Sequence, residues 1–234
     1  MAFSKKEAPD CDWCPFKGNC FFSVLDRADQ KIWNKLRIAN RFKPGETIFY
    51  EGEKPPGLYV LCTGKIKIYK SSRTGQQFII RILNPGSLMG YRPHFAQESY
   101  AATAEAMQES AVSLMDTESF NKFLMEHPKA TLRLLKQLSR DLREGEDKAR
   151  DMAYKPARVR VSDVLLSLMK KNGSSKPVIH GLKRKDLAEM TGLAVETTVR
   201  LLKNLEERGW IKRQRGQIVI LDEPKIRSLV GSTN

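Results

Sequence analysis

The sequence predicts an α+β chain with an antiparallel β-roll in its first half, one long helix, and a winged helix-turn-helix at its C-terminal end. Three observations carry this expectation. From about Phe42 to Asp116, short β-rich runs are broken by turn residues at the spacing of an antiparallel roll or sandwich. After His127-Pro128 the apolar period lengthens to steps of three and four. Beyond Pro156, two short helical patterns flank Gly192, and an alternating hairpin follows them.

The elements divide into a leader over 1–24, the roll over 25–127, the long helix over 128–155 and the winged unit over 156–234. The leader contains "CDWCPFKGNC", which places Cys11, Cys14 and Cys20 within ten positions of a chain with 4 cysteines. Its opening "MAFSKKEAPD" is charged and lacks the apolar middle of a secretory signal, and no apolar run is long enough to span a bilayer. The expectation is a cytoplasmic protein with no membrane partner, in which thiols stay reduced. Three clustered cysteines are then metal ligands or a redox device rather than a disulfide framework.

In the roll, the runs are "KPGETIFYEGE", "PPGLYVLCTGKIKIYK", "RTGQQFIIRILNPGSLMG" and "SYAATAEAMQESAVSLMD". Lys65 to Lys70 alternate polar and apolar, as a half-buried strand does. In the long helix, Leu132, Leu135, Leu138 and Leu142 form a narrow seam that Met152 extends until Pro156 limits it. That is a coiled-coil pattern for dimerisation, and a helix packed on its own domain fits the seam equally well. Gly145, beside Glu144, Glu146 and Asp147, weakens the seam by roughly 1 kcal/mol relative to alanine.

In the winged unit, "ARVRVSDVLLSLMKK" reads as a helix, Lys183 to Met190 as a short one, Thr191-Gly192-Leu193 as a turn and Ala194 to Arg208 as a second helix. Leu187, Leu193, Leu201 and Leu202 supply the apolar positions, with Ala188 where the helices cross. "WIKRQRGQIVI" alternates around Arg215-Gly216 as a hairpin wing. The net charge is +14, with 17 basic and 8 acidic residues from Lys155 onward against 24 and 19 before it. The C-terminal third is the segment that seeks a polyanion, nucleic acid first. No nucleophile-base pair or phosphate-binding glycine loop is present, and His94, His127 and His180 are scattered, so the chain does not read as an enzyme.

This order of elements, with "GLYVLCTGKIKIY" and "GLAVETTVRLLKNLEERGWI", resembles the CRP/FNR superfamily of bacterial transcription regulators over nearly the whole chain. The resemblance implies a cyclic-nucleotide-binding-like jelly roll, a homodimer formed through the long helix, double-stranded DNA as partner and RNA polymerase as a further one. The spacing C-x2-C-x5-C ahead of the roll is similar to the oxygen-sensing fumarate and nitrate reduction regulators, whose cysteines hold a [4Fe-4S] cluster. Members that bind cyclic AMP carry a glutamate after the glycine and an Arg-Ser pair downstream. Here Tyr91 follows Gly90, and Tyr100-Ala101 stands at the pair, which weakens cyclic-nucleotide sensing. The oxygen sensors' fourth cysteine falls on Ser113, and Cys62 is the remaining thiol, on a strand that the resemblance places beside Ser113.

From spacing alone, a cluster, tetrahedral zinc and unliganded thiols all stay open. The resemblance favours the cluster, with Cys11, Cys14 and Cys20 as ligands, and Cys62 is preferred as the fourth over Ser113, an acidic side chain or solvent. Lys17 inside the loop favours thiolates. On the second helix, Glu196 and Arg200 stand four apart and share a face, suited to cytosine N4 and to guanine O6 and N7. Val195 and Val199 offer contacts to thymine methyls, while Thr197, Thr198, Lys203, Arg213 and Arg215 are assigned to phosphates. The operator implied is an inverted repeat of TTGA-like half-sites. The expected function is DNA-binding regulation through a cluster sensitive to oxygen or nitric oxide. Two alternatives are a regulator of the same fold with a small-molecule effector and structural zinc, and an iron-sulfur electron carrier.

Overall fold

The structure is a computed structural model that describes Phe3, residues 10–169 and residues 176–231. The chain forms two compact units, Met1–Asp141 and Leu142–Asn234. In the first, α1 (Arg27–Leu36) is started by the Asp26 carboxylate, which accepts a hydrogen bond from the Asp29 amide at 2.9 Å. Eight strands follow: β1 (Ile38–Phe42), β2 (Thr47–Phe49), β3 (Gly57–Thr63), β4 (Ile66–Ser71), β5 (Gln77–Leu83), β6 (Leu88–Met89), β7 (Thr103–Ala106) and β8 (Ser110–Asp116). α2 (Tyr91–Ala96) lies between β6 and β7, and α3 (Thr117–Glu126) and α4 (Pro128–Tyr154) follow β8.

The strands make two antiparallel four-stranded sheets, ordered β1-β8-β3-β6 and β2-β7-β4-β5. Strand β3 is buried on both faces, which explains its unbroken apolar run. Tyr59 and Leu61 join Phe42, Phe49, Ile66 and Val112 in a core shared by both sheets. Leu58 and Val60 point the other way, into a second core with Phe21, Phe22, Trp33, Phe120 and Phe123. Burying each of these large side chains contributes on the order of 1.5–3 kcal/mol, and Phe22 stacks on Trp33 with ring centroids 3.5 Å apart.

Helix α4 begins with proline, whose missing amide costs nothing at that position. Its inner face is Ala130, Leu134 and Asp141, with Leu138 partly buried beside them. The expected seam therefore divides. Leu132, Leu135 and Leu142 are 59%, 54% and 64% exposed on the outer face, whereas Leu138 packs against the protein's own core. On the 3.6-residue period Leu138 lies about 40° from both Leu134 and Leu142, at the boundary between the buried and the exposed face, so it packs on the core while Leu135 and Leu142 stay outside. Gly145 is exposed and Met152 is half-buried.

The second unit contains α5 (Ala157–Leu168), β9 (Val178–His180), α6 (Arg184–Thr191), α7 (Val195–Glu207), β10 (Ile211–Gln214), β11 (Gln217–Ile220) and α8 (Glu223–Gly231). Each expected helix of the helix-turn-helix is displaced by a residue at its ends, because Lys183, Ala194 and Arg208 are caps. Gly192 ends α6 in the left-handed conformation, at φ 63°. Leu187 and Leu202 are fully buried with Ile211, Ile220 and Ile226, and Leu193 and Leu201 pack against them. The wing has a third strand, since the sheet order is β10-β11-β9.

Candidate metal centre and nucleic-acid interface

The cysteine segment is a chain of tight turns. The Lys17 amide donates to the Cys14 carbonyl at 3.2 Å and the Cys20 amide to the Phe16 carbonyl at 3.1 Å. The segment is fastened to the roll through Gly86, whose carbonyl accepts from the Phe21 amide at 3.2 Å and whose amide donates to Leu61 at 2.7 Å. Gly86 has φ +94°, and a Cβ there would lie 2.8 Å from the Asn19 carbonyl. Only glycine lets the leader approach this closely.

Cys62 lies near the end of β3, where pairing with β8 shifts register between Leu61 and Thr63. Such an irregularity re-aims a side chain. Cys11, Cys14, Cys20 and Cys62 line one cavity of about 20 Å³, together with Trp33 and Arg37. All four cysteines of the sequence thus meet in one place. Ser113 is fully buried beside them, its Oγ 3.1 Å from Cys62 Sγ. Among the described residues, no group of three or more His, Cys, Asp or Glu side chains is placed to hold a metal ion.

Burial pushes the Cys11 thiol up to about 11, against the attraction of the Arg37 guanidinium. Burial also raises Cys20, opposed by a hydrogen bond from the Phe22 backbone, and Cys62, opposed by the Ser113 hydroxyl and by Arg37. Without a ligand, these thiols hold their protons at neutral pH, so any metal they bind must displace them. The cation that sequence reasoning assigned to this task was Lys17, which does not line the cavity; Arg37 does. Neither Arg37 nor Gly86 lies in the cysteine motif, and no local sequence pattern ties either to it.

A larger cavity of about 460 Å³ lies within the roll, with Phe49, Arg81, Tyr91, Arg92, Tyr100 and Ala101 on its wall. Phe49 and Tyr100 stack there, with ring centroids 3.9 Å apart. The Tyr91 hydroxyl is turned to Asp141 of α4, to which it donates a hydrogen bond. Arg81 pairs with the same carboxylate at 2.8 Å, and the Gln137 amide donates to it at 2.8 Å. Burial and the bond to the Asp141 carboxylate push Tyr91 up to about 12. This network fixes α4 to β5 and α2, and no local sequence pattern announced it.

On α7, Glu196 and Arg200 are exposed and share a face, and Val195 is 39% exposed. Thr197 and Val199 are half-buried. Thr198 requires correction as a phosphate contact. It is fully buried, and its hydroxyl donates to the Ala194 carbonyl at 3.1 Å, the back-bond available to a threonine inside a helix. Lys203 lies 3.6 Å from Glu207 on the exposed side. Arg213 is held by Glu206 through its backbone amide and Nε, both at 2.7 Å, which leaves it less free for phosphate than Arg215. Arg215 stands exposed at the wing turn, beside Gly216 at φ +75°. An exposed Glu/Arg pair on a helix buried along its other face by Leu202 and Leu205, with a basic wing, has the geometry of a major-groove reader.

Comparison with known proteins agrees with both halves of this arrangement. The cyclic nucleotide-binding domain family matches residues 39–127, and the Crp-like helix-turn-helix domain family matches residues 159–229. The nitrogen fixation regulation protein FixK of Bradyrhizobium diazoefficiens is 26% identical over 226 residues, covering 95% of this chain and 94% of that protein. A CRP-like cAMP-activated global transcriptional regulator of Mycobacterium tuberculosis is 26% identical over 189 residues, covering 79% of this chain and 84% of its own. The solved structure of FixK2 from Bradyrhizobium japonicum shares the fold, with a TM-score of 0.72 at 24% identity over 82% of this chain and 96% of that one. Among the described residues, no helix is long and apolar enough to cross a membrane. With the roll and the winged reader each matched in order, and the FixK alignment running through the helix between them, the chain belongs to the CRP/FNR family of DNA-binding transcription regulators.

Proposed function

We propose that this regulator reads DNA as a homodimer whose association is controlled by a redox-sensitive [4Fe-4S] cluster on Cys11, Cys14, Cys20 and Cys62. The observation that carries this reading is the shared cavity, since two segments 42 residues apart bring every thiol of the sequence to one wall. The donor set fits the group, because thiolates are the soft ligands that iron-sulfur clusters take. Tetrahedral zinc takes the same thiolate donors, and analysis for iron and sulfide separates the two. Bound here, the cluster supplies a redox-active group that oxygen or nitric oxide degrades. The cavity is about one water molecule in size, so the Cys11–Cys20 turns would have to open for a cluster to enter.

The residues of the chain do the rest. Gly86 and the Phe21 amide hold the leader against β3, while the exposed Leu132, Leu135 and Leu142 meet their copies in a partner. Dimerisation sets two copies of α7 about one helical turn of DNA apart, roughly 34–36 Å. Arg200 then donates to a guanine of each TTGA-like half-site, Glu196 accepts from the paired cytosine, and Arg215 meets phosphate. RNA polymerase is the further partner of a regulator bound in this way.

The test is anaerobic reconstitution of the parent, Cys62→Ala and Ser113→Ala. Selective loss of iron and visible absorption in Cys62→Ala supports the assignment, and an equally stable cluster in that variant removes Cys62 from the site. A second reading, control by a small molecule, draws on the 460 Å³ cavity of the roll. Tyr100 and Ala101 give a cyclic phosphate no cation, but Lys70, Arg81 and Arg92 on the same wall leave an anionic ligand open to this reading.

A further inference from the structure

Arg37 ends α1 and enters the cysteine cavity from a segment with no cysteine of its own. It is 3% exposed, and its Nη1 donates to Ser113 Oγ at 3.1 Å and lies 3.8 Å from Cys62 Sγ. Ser113 and Cys62 are themselves 3.1 Å apart, so guanidinium, hydroxyl and thiol form a closed triangle on the cavity wall. Among the described residues lining the cavity, Arg37 is the basic one, and Asp10 is the acidic one.

Four thiolates around a cubane core of charge 2+ leave a net charge of about −2. Buried negative charge is costly unless a cation or hydrogen-bond donors face it. We propose that Arg37 is the positioning residue and counter-charge of the metal centre: it holds Cys62 toward the other three thiols and offsets the negative charge of the ligand set. This rests on the reading of the four cysteines as cluster ligands. Ser113 then has a role without being a ligand, since its hydroxyl joins the guanidinium to the thiol. A planar guanidinium bridges two acceptors at fixed geometry, which a lysine at the same place achieves only in part.

The experiment compares the full-length parent, Arg37→Met, Arg37→Lys and Ser113→Ala after anaerobic reconstitution with iron and sulfide. Iron retention against a chelator and the cluster's reduction potential are the readouts, with circular dichroism of each metal-free chain as the folding check. Arg37→Met loses on the order of tenfold in iron retention, the effect of removing a residue that orients a ligand. Its potential moves to a more negative value, because a nearby positive charge no longer favours the reduced state. Arg37→Lys restores the potential, which follows charge, more fully than the iron retention, which follows geometry. Where Arg37→Met does not fold, Arg37→Lys and Ser113→Ala decide: each still loads but holds iron less firmly against the chelator, and retention equal to the parent's in both overturns the proposal. A parent that takes up no cluster overturns the cluster reading itself, and this inference with it. A parent that loads, beside an Arg37→Met variant matching it in both readouts, overturns this inference alone.

Discussion

Helix α7 presents Glu196 and Arg200 through their spacing of four, whereas the cysteine cavity draws its wall from the Cys11–Cys20 turns, the end of α1, β3 and the loop at Gly86. The first is a local device: any helix with those residues and an apolar opposite face displays them. The second exists only once β3 has paired with β8 and the leader has packed on Gly86. Changes on α7 should therefore act on DNA binding alone, while changes in the packing around the thiols should reach the proposed metal centre.

The largest effect that would break this comparison lies in the cavity's support. Trp33 is 2% exposed and stacks on Phe22, so Trp33→Ala costs about 3–5 kcal/mol, read as a lower denaturation midpoint of the metal-free protein. Iron uptake falls with it, although Trp33 offers no ligand atom. Full iron uptake in this variant would show the cavity to be as local as the helix.

Next is the helix itself. Arg200→Ala costs about 1–3 kcal/mol of operator affinity and relaxes discrimination at its guanine, measured by fluorescence anisotropy on matched and mismatched sites. Iron content and thermal stability stay at the parent's values. Any loss of iron here would mean that the two regions are not separable.

Two smaller changes sharpen the picture of α7 and its wing. Thr198→Val, at a side chain turned inward, leaves operator affinity within about 0.5 kcal/mol of the parent and its salt dependence unchanged. Arg215→Ala, at the exposed wing turn, weakens all sequences alike and reduces the salt slope by about 1. A further small effect, on association rather than DNA binding, is that of Gly145→Ala. An added Cβ meets nothing within 4 Å, so helix propensity alone tightens dimerisation by up to about 1 kcal/mol in sedimentation.

The same contrast explains what could be read in the sequence. The roll was legible because turns and alternating runs are local signals, and "GLAVETTVRLLKNLEERGW" carried its reading face in its own period. The rotation of a helix against its core is less legible. Thr198 looked like a surface threonine and faces inward, and Leu138 looked like part of the outer seam and belongs with Leu134. Arg37 and the Arg81–Tyr91–Asp141 network were invisible, because each depends on pairing between segments tens of residues apart. Cys62 stood between these cases. The neighbourhood of Ser113 was implied by the family resemblance, but the direction of the Cys62 side chain depends on a register shift that the apolar run Leu58 to Leu61 conceals.

The measurement that bears most directly on the central claim is operator binding by the anaerobically reconstituted full-length protein, titrated before and after exposure to air, with iron and sulfide assayed in the same samples. The account predicts about four iron and four sulfide per chain, tight binding before air, and loss of cluster and operator affinity together afterwards. Zinc in place of iron, or operator affinity unchanged when the cluster is lost, would contradict it.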